Sequence, residues 1–316
     1  MSNYTDLERA ILKALVHYDL LDYPLTLVEI HKWLYEPQSA YSLRQVRDAM
    51  TAGNLREILA VKHGFYFFSG REALVAKRLT HYALAEKKFR IALKAARWLR
   101  WLHLVEFIAV CNKTGYNNAG PESDIDFFII VNAKRLWFGR LLVTALTTLL
   151  GIRRHDEKYI DRICLSFYAG GNHLDLADIR LQPEDPHLAY WLATFAPVYD
   201  GGTGRNFFAA NGWLTEILPN YYPPQTSHRR LIFENQAVKF FRAAGAGAFG
   251  GRLGEGLERL ARTLQAKKIK KYFGSLIDAP NTDVVISAAI LKFHKNDRRR
   301  QYLAQWRDKL NRLGIF

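Results

Sequence analysis

Cysteine is scarce in this chain, and long apolar runs are missing. The two cysteines, Cys111 and Cys164, stand in separate apolar segments without the spacing of a metal-ligand motif. This favours a reduced, cytoplasmic setting over a disulfide-stabilised one. No window approaches the roughly eighteen apolar residues that a membrane span requires, and residues 1–20 lack a continuous hydrophobic segment. We therefore expect neither a membrane span nor a signal peptide.

Several catalytic signatures are also missing. The sequence holds no HExxH, no Walker lysine loop and no Gly-x-Ser-x-Gly elbow, and its ten histidines are scattered. Gly245, Gly247 and Gly250 match the spacing of a dinucleotide-binding motif, but the preceding AVKFFRA is typical of a helix. Because that motif requires a preceding strand, the glycines indicate a bend between helices.

Acidic residues are too few to balance the basic ones. Lys and Arg number 45 against 30 Asp and Glu, which gives a net charge of +15 and a pI near 9.7. An excess of this size favours a polyanionic partner, either nucleic acid or an anionic membrane surface. We expect DNA or RNA and no membrane partner. The alternative is a basic surface that binds nothing.

The first 76 residues contain three helix starts and a hairpin. Capping boxes pair Thr5 with Glu8, Thr26 with Glu29, and Ser42 with Gln45. Two apolar runs then flank a Lys-His-Gly turn at 62–64, which indicates a β-hairpin. Three helices and a hairpin predict a winged-helix domain over 1–76. Its candidate nucleic-acid contacts are Arg44 and Arg47 on the third helix and Lys62 on the wing. The alternative is a module that docks another protein.

The segment Phe107–Val131, FIAVCNKTGYNNAGPESDIDFFIIV, contains the candidate site. It indicates a strand, a polar loop and a second strand, which opens with Asp124 and Asp126. Residues i and i+2 of a strand project to the same side, so these two carboxylates are expected to converge. Oxygen ligands favour a hard divalent cation, and magnesium (or manganese) together with substrate phosphates is the expected occupant. The alternative is a turn followed by a solvated aspartate.

The string SDIDFFII, preceded by a Gly- and Asn-rich loop and an apolar strand, resembles the nucleotidyltransferase superfamily of DNA polymerase β type. The chain is similar to prokaryotic proteins that join a winged helix to such a domain. The resemblance implies a central α/β domain with a mixed sheet over 77–182, followed by a helical C-terminal region over 183–316. It also implies that Asp124 and Asp126 bind the catalytic metal.

Two departures from the family pattern affect the expected activity. The Gly-Ser pair of the family falls near Asn112 and Lys113 here. Either Lys113 and the loop amides contact the phosphates instead, with Asn112 and Ser123, or triphosphate binding has been lost. The third carboxylate of the family is also missing from the next strand, 163–169. The residues that remain as candidates are Asp161, Asp175 and Asp178.

These observations predict a metal-dependent nucleotidyltransferase that moves a nucleoside monophosphate from an NTP to a hydroxyl acceptor, with nucleic acid as a candidate acceptor. The alternative is an inactive protein of the same fold that senses a nucleotide or binds nucleic acid through its winged helix. The basic run from Lys292 to Arg300 indicates either a contact to an acceptor backbone or a solvated helix face.

Overall fold

A computed structural model describes residues 4–51, 54–155, 157–224, 228–277, 281–294 and 296–315. Over these residues the chain is a mixed α/β protein with a six-stranded mixed sheet and a smaller three-stranded sheet. The mixed α/β class and the mixed sheet agree with the prediction from sequence.

Residues 4–68, here called the N-terminal unit, form helices around the small sheet, which has the order β1-β3-β2. Its elements are α1 (Asp6–Asp19), β1 (Leu25–Thr26), α2 (Leu27–Lys32), α3 (Leu43–Thr51), α4 (Leu55–Ile58), β2 (Leu59–Lys62) and β3 (Phe65–Phe68). All three predicted capping boxes form, at Thr5, Thr26 and Ser42. His63 and Gly64 adopt positive φ values of 53° and 78° in the turn between β2 and β3. A two-residue turn of this kind matches the twist of a hairpin.

The large sheet has the strand order β7-β4-β5-β6-β9-β8, and only β5 and β6 pair in parallel. Its strands are β4 (Val105–Cys111), β5 (Ile125–Val131), β6 (Ile163–Gly170), β7 (Ala196–Asp200), β8 (Val284–Ile286) and β9 (Ile290–Phe293). Cys111 at the end of β4 pairs with Asp126 near the start of β5, and Asp126 pairs with Cys164 near the start of β6. These three strands therefore bring their polar ends to one edge of the sheet.

The region over 183–316, which was expected to be mostly helical, also contains three strands that the sequence did not indicate. This part of the chain supplies β7, which pairs with β4, and β8 and β9, which extend the sheet beyond β6. All three strands are short, at three to five residues. β7 and β9 join the sheet through strands that lie far away in the chain, and β8 pairs with its neighbour β9. Such pairing fixes short strands more than local preference does, so the sequence around them reads as helical.

Helices cover both faces of the large sheet. They are α5 (Ala73–Leu99), α6 (Asn112–Gly115), α7 (Leu136–Leu149), α8 (Pro186–Ala193), α9 (Gly204–Ala210), α10 (Leu214–Ile217), α11 (Gln236–Phe249), α12 (Arg252–Phe273) and α13 (Arg299–Arg312). One core joins a face of the sheet to α8, α13 and the N-terminal unit, while the other core joins the opposite face to α5, α7 and α12. In the described ranges, no helix is long and apolar enough to cross a membrane.

Candidate active site

Asp124 and Asp126 converge at the edge of the sheet. Asp124 directly precedes β5, and Asp126 is its second residue. Oxygen atoms of the two carboxylates and the Sγ of Cys164 all lie within 4.8 Å of one another. Asp124 and Asp126 therefore project to the same side of the strand, as expected from its two-residue period. Cys164 joins the pair because β6 runs parallel to β5 in this register.

The protonation of this corner is perturbed. Burial, followed by the neighbouring charge of Asp124, raises the pKa of Asp126 to about 7. A side-chain hydrogen bond from Asn112 and the charge of Arg154 act in the opposite direction. Burial and the two aspartates also raise the pKa of the Cys164 thiol. Burial and repulsion between the two carboxylates therefore disfavour the ionised form of Asp126, and the Cys164 thiol stays protonated.

Arg154 is the cation closest to this corner. Its Nη1 lies 2.5 Å from the Oδ2 of Asp124 and 3.8 Å from the Sγ of Cys164. Partial burial works against the charge of Arg154, but attraction to Asp124 raises its pKa. Arg154 lies in the connection between α7 and β6, so no motif of the sequence identifies it. Its only local signal is a pair of arginines shortly before a strand.

None of the three candidates for a third carboxylate joins the group formed by Asp124, Asp126 and Cys164. Asp161 accepts a hydrogen bond from the Nζ of Lys88 at 2.5 Å. Asp175 accepts from the Trp213 indole and the Ala177 amide, and Asp178 pairs with His173 at 3.1 Å. The third position of the group is occupied by a thiol instead.

The loop before β5 is fixed from two sides. The buried Lys88 of α5 donates to the backbone oxygen of Ser123 at 2.7 Å and to Asp161. Asn118 donates to the backbone oxygen of Leu21 in the N-terminal unit at 3.1 Å. At the other end of the loop, Asn112 has a φ of 54°, a conformation that glycine favours and asparagine tolerates.

A cleft with a volume of about 1560 Å³ opens over the carboxylates. Asn112, Lys113 and Ser123 line it, as do residues of the N-terminal unit, α7, α12 and the start of α13. In the described part of the chain, five of its cations form no ion pair: Lys113, Arg140, Arg153, Lys268 and Arg298. Of these, Arg140 already donates to the Oε1 of Gln265 at 2.5 Å and lies over the Phe293 ring. The cleft therefore contains paired carboxylates and several cations without an ion pair.

The other predicted contacts lie outside this cleft. Arg44 and Arg47 are exposed on α3, and their guanidinium groups lie 3.8 and 3.2 Å from Asp48. Lys62 is exposed at the end of β2. The structure therefore gathers Asp124, Asp126, Asn112, Lys113 and Ser123 in one cleft, and the three candidate contacts of the N-terminal unit lie elsewhere.

Comparison of the chain with protein-family models, with curated protein sequences and with solved structures found no match.

Proposed function

We propose that the chain is a metal-dependent nucleotidyltransferase that moves a nucleoside monophosphate from an NTP to a hydroxyl acceptor. One observation carries this proposal: Asp124 and Asp126 converge in a cleft whose other walls present unpaired cations. Carboxylates favour a divalent cation, whereas Lys and Arg favour phosphate oxygens. A metal-bound polyphosphate satisfies both groups at once.

The proposal includes a division of the chain into a winged helix and a DNA polymerase β-like nucleotidyltransferase domain. The helix and hairpin order of the N-terminal unit supports the first. The second is supported by the succession of β4, the short helix α6 and the Asp-Ile-Asp start of β5. Asn112, with its left-handed backbone, stands where the family has a glycine.

The donor set fits one hard cation. Two carboxylates supply oxygen ligands, and magnesium is commonly held by one or two carboxylates together with substrate phosphates. The protonated Cys164 is a poor ligand for magnesium, so among the described residues the group offers two oxygen donors and not the three of a two-metal site. When bound, magnesium or manganese polarises the phosphoryl group and offsets charge on the leaving pyrophosphate.

The residues of the cleft divide the binding between them. In the proposal, Lys113, Arg153 and Lys268, which line the cleft, neutralise the triphosphate, and Asn112 and Ser123 orient it. Arg154 neutralises Asp124 in the absence of nucleotide. It can turn to phosphate when the carboxylate acquires another partner, because half of its side chain is exposed.

A second candidate is a protein of this fold that binds a nucleotide without catalysis. Two observations favour it. Arg154 already forms an ion pair with Asp124, and the thiol of Cys164 lies where a third carboxylate is expected. In this case the chain binds an NTP tightly and releases it unchanged.

The test is incubation with NTPs labelled at the α-phosphate, magnesium, and a mixture of RNA and DNA oligonucleotides. We expect label on an acceptor with the wild type and less with Asp124→Asn and Asp126→Asn, by at least about 10- to 100-fold, which is the cost of losing a group that merely orients a metal ligand. Asp178→Asn is the matched control, since this carboxylate is exposed and pairs only with His173. Label transfer that survives both cleft substitutions rules out the proposal.

Nucleic-acid binding by the N-terminal unit is a separate part of the proposal. Arg44, Arg47 and Lys62 are all accessible, although Asp48 competes for the two arginines. Binding of a DNA duplex should weaken as salt increases and should decrease in Arg44→Ala/Arg47→Ala. Unchanged binding in this variant would exclude a contact through α3.

A further inference from the structure

Helix α11 is attached to the molecule along a narrow strip and leaves most of its apolar surface uncovered. Phe240 and Phe241 are 69% and 57% exposed, and Val238 is the buried residue of the helix. The ring of Phe241 lies 5.6 Å from that of Trp101, which follows α5 and is also exposed. Phe240, Phe241 and Trp101 therefore form one exposed aromatic cluster.

Helix α12, which packs against α11, also exposes large apolar side chains. Leu253, Leu260 and Leu264 are each more than half exposed. Their spacing of seven and four residues places them on one side of the helix. The buried side of α12 is a different one and contains Ala261, Gln265 and Ile269. The exposed leucines are thus additional to the residues that hold α12 on the protein.

Cations surround this apolar surface. Between Gln236 and Phe273, eight Lys and Arg residues are exposed against a single exposed acid, Glu255. They are Lys239, Arg252, Arg259, Arg262, Lys267, Lys268, Lys270 and Lys271. Glu258 does not offset them at the surface, because it accepts hydrogen bonds from the Trp137 and Phe138 amides.

We infer that the α11–α12 surface binds an anionic membrane surface, with the Phe and Leu side chains inserted among the lipids and the Lys and Arg side chains on the headgroups. Helices with aromatic and leucine residues on one side and cations on another lie in the plane of the interface. This differs from the expectation of no membrane partner, because an interfacial helix requires no long apolar run.

The charge and the aliphatic side chains of the α11–α12 surface favour a lipid surface over a second copy of the chain or a nucleic acid. A second copy of the chain would place the same cations opposite one another, which disfavours a symmetric contact. Nucleic acid matches the charge and stacks on aromatic rings, but it offers no partner for three exposed leucines. An anionic lipid surface matches the cations, the aromatic rings and the aliphatic side chains together.

The same helix reaches the cleft. Lys268, Ile269 and Tyr272, in the last two turns of α12, line the cleft above Asp124 and Asp126. Membrane binding would therefore hold one wall of the cleft at the lipid surface. The inference does not depend on nucleotidyl transfer, since apart from Lys268 the exposed residues that carry it lie outside the cleft.

The test is co-sedimentation of the full chain with vesicles of phosphatidylcholine, with and without phosphatidylglycerol. We expect binding to the anionic vesicles only, weakened as salt rises from about 0.05 to 0.5 M. Phe240→Ser/Phe241→Ser and Leu260→Ser/Leu264→Ser should each lower the partition coefficient by about tenfold or more. Because these side chains are exposed, the folded state should be retained, as circular dichroism will report.

The control is Val28→Ser, which replaces a 57% exposed apolar residue of α2 and should leave vesicle binding unchanged. Failure of the wild type to sediment with anionic vesicles would overturn the inference, as would equal binding by the Ser variants. A dimer in sedimentation equilibrium that the Phe variant converts to monomer, without vesicle binding, would assign the surface to a second copy. Binding of single-stranded RNA alone, lost in the Phe variant, would assign it to nucleic acid.

Discussion

Burial and the charge of Asp124 raise the pKa of Asp126 from its usual 3.8 to about 7. The folded chain thus binds this proton more tightly than the unfolded chain does. Stability from this group is therefore lost as the pH rises from about 4 to about 7. Asp126→Asn should increase the free energy of unfolding by about 2 kcal/mol at pH 8 in the presence of a chelator, after allowance for partial exposure.

The same substitution should have little effect at pH 4, where Asp126 is protonated in the folded chain. Urea unfolding at the two pH values measures both effects. An equal effect of Asp126→Asn at pH 4 and pH 8 would show that ionisation of Asp126 does not destabilise the folded chain.

Lys88 does not line the cleft, but it positions the loop that carries Asp124. Its buried ammonium group holds the backbone of Ser123, which directly precedes Asp124. Lys88→Met removes this hydrogen bond and the pairing with Asp161. The loss should lower the free energy of unfolding by about 3 kcal/mol. It should also weaken binding of manganese, because the loop that carries Asp124 becomes looser.

The neighbouring Lys87 provides a matched control. Its side chain is 66% exposed and lies 3.8 Å from the same Asp161. Lys87→Met should change stability by less than about 0.5 kcal/mol. If the two methionine variants unfold at the same urea concentration, the anchoring role of Lys88 is wrong.

At the scale of elements, a buried ion network joins β9 and α13 to α8. Arg299 contacts Asp185 at 2.9 Å and Asp297 at 2.8 Å, and Lys292 contacts Asp297 at 2.5 Å. Burial lowers the pKa of Lys292 to about 8 despite this partner. In the basic run from Lys292 to Arg300, these two cations are therefore internal and do not form part of a solvated face.

Arg299→Met should lower the free energy of unfolding by about 3–5 kcal/mol, because Asp185 remains buried without its partner. The adjacent Arg300 is exposed, so Arg300→Met should have almost no effect. Thermal unfolding of the two variants measures the difference. Equal melting temperatures would contradict the role of the network.

Local signals made several elements predictable from the sequence. The capping boxes place the starts of α1, α2 and α3, and the continuous apolar runs place β4 and β5. The period of a strand also predicts that Asp124 and Asp126 project together. Strands β7 and β9 were not predictable in this way, because they join the sheet through β4 and β6, which lie far away in the chain, and β8 pairs only with β9.

The rest of the site depends on tertiary contacts. Arg140, Arg154 and Lys268 come from α7, from the connection after it and from α12, and no local pattern relates them. The parallel register of β5 and β6 places Cys164 beside Asp126. The sequence predicts that Cys164 lies on a strand, but it does not show that the thiol is next to the carboxylates.

At the scale of the whole molecule, the N-terminal unit shares its core with the large sheet. Trp306 of α13 donates its indole N–H to the Lys13 backbone oxygen at 2.9 Å. Tyr190 of α8 donates its hydroxyl to the Trp33 backbone oxygen at 3.0 Å. Both side chains are buried in one hydrophobic cluster with α1. The N-terminal unit is thus firmly joined to the domain that carries the carboxylates.

This shared core predicts a single unfolding transition for the full chain. Tryptophan fluorescence and far-ultraviolet circular dichroism should give coincident urea curves. Trp306→Ala should shift both curves together, by about 3–5 kcal/mol. A separate early transition of the N-terminal helices would contradict a shared core.

The most direct test of the proposed site is electron paramagnetic resonance of manganese titrated into the chain with a non-hydrolysable NTP. The account predicts one bound ion per wild-type chain, and at least tenfold weaker binding in Asp124→Asn and Asp126→Asn, the order of magnitude for loss of a ligand. Asp178→Asn should bind manganese as the wild type does. Manganese that binds equally well to both cleft variants, or only in the absence of nucleotide, would contradict a metal–nucleotide site at Asp124 and Asp126.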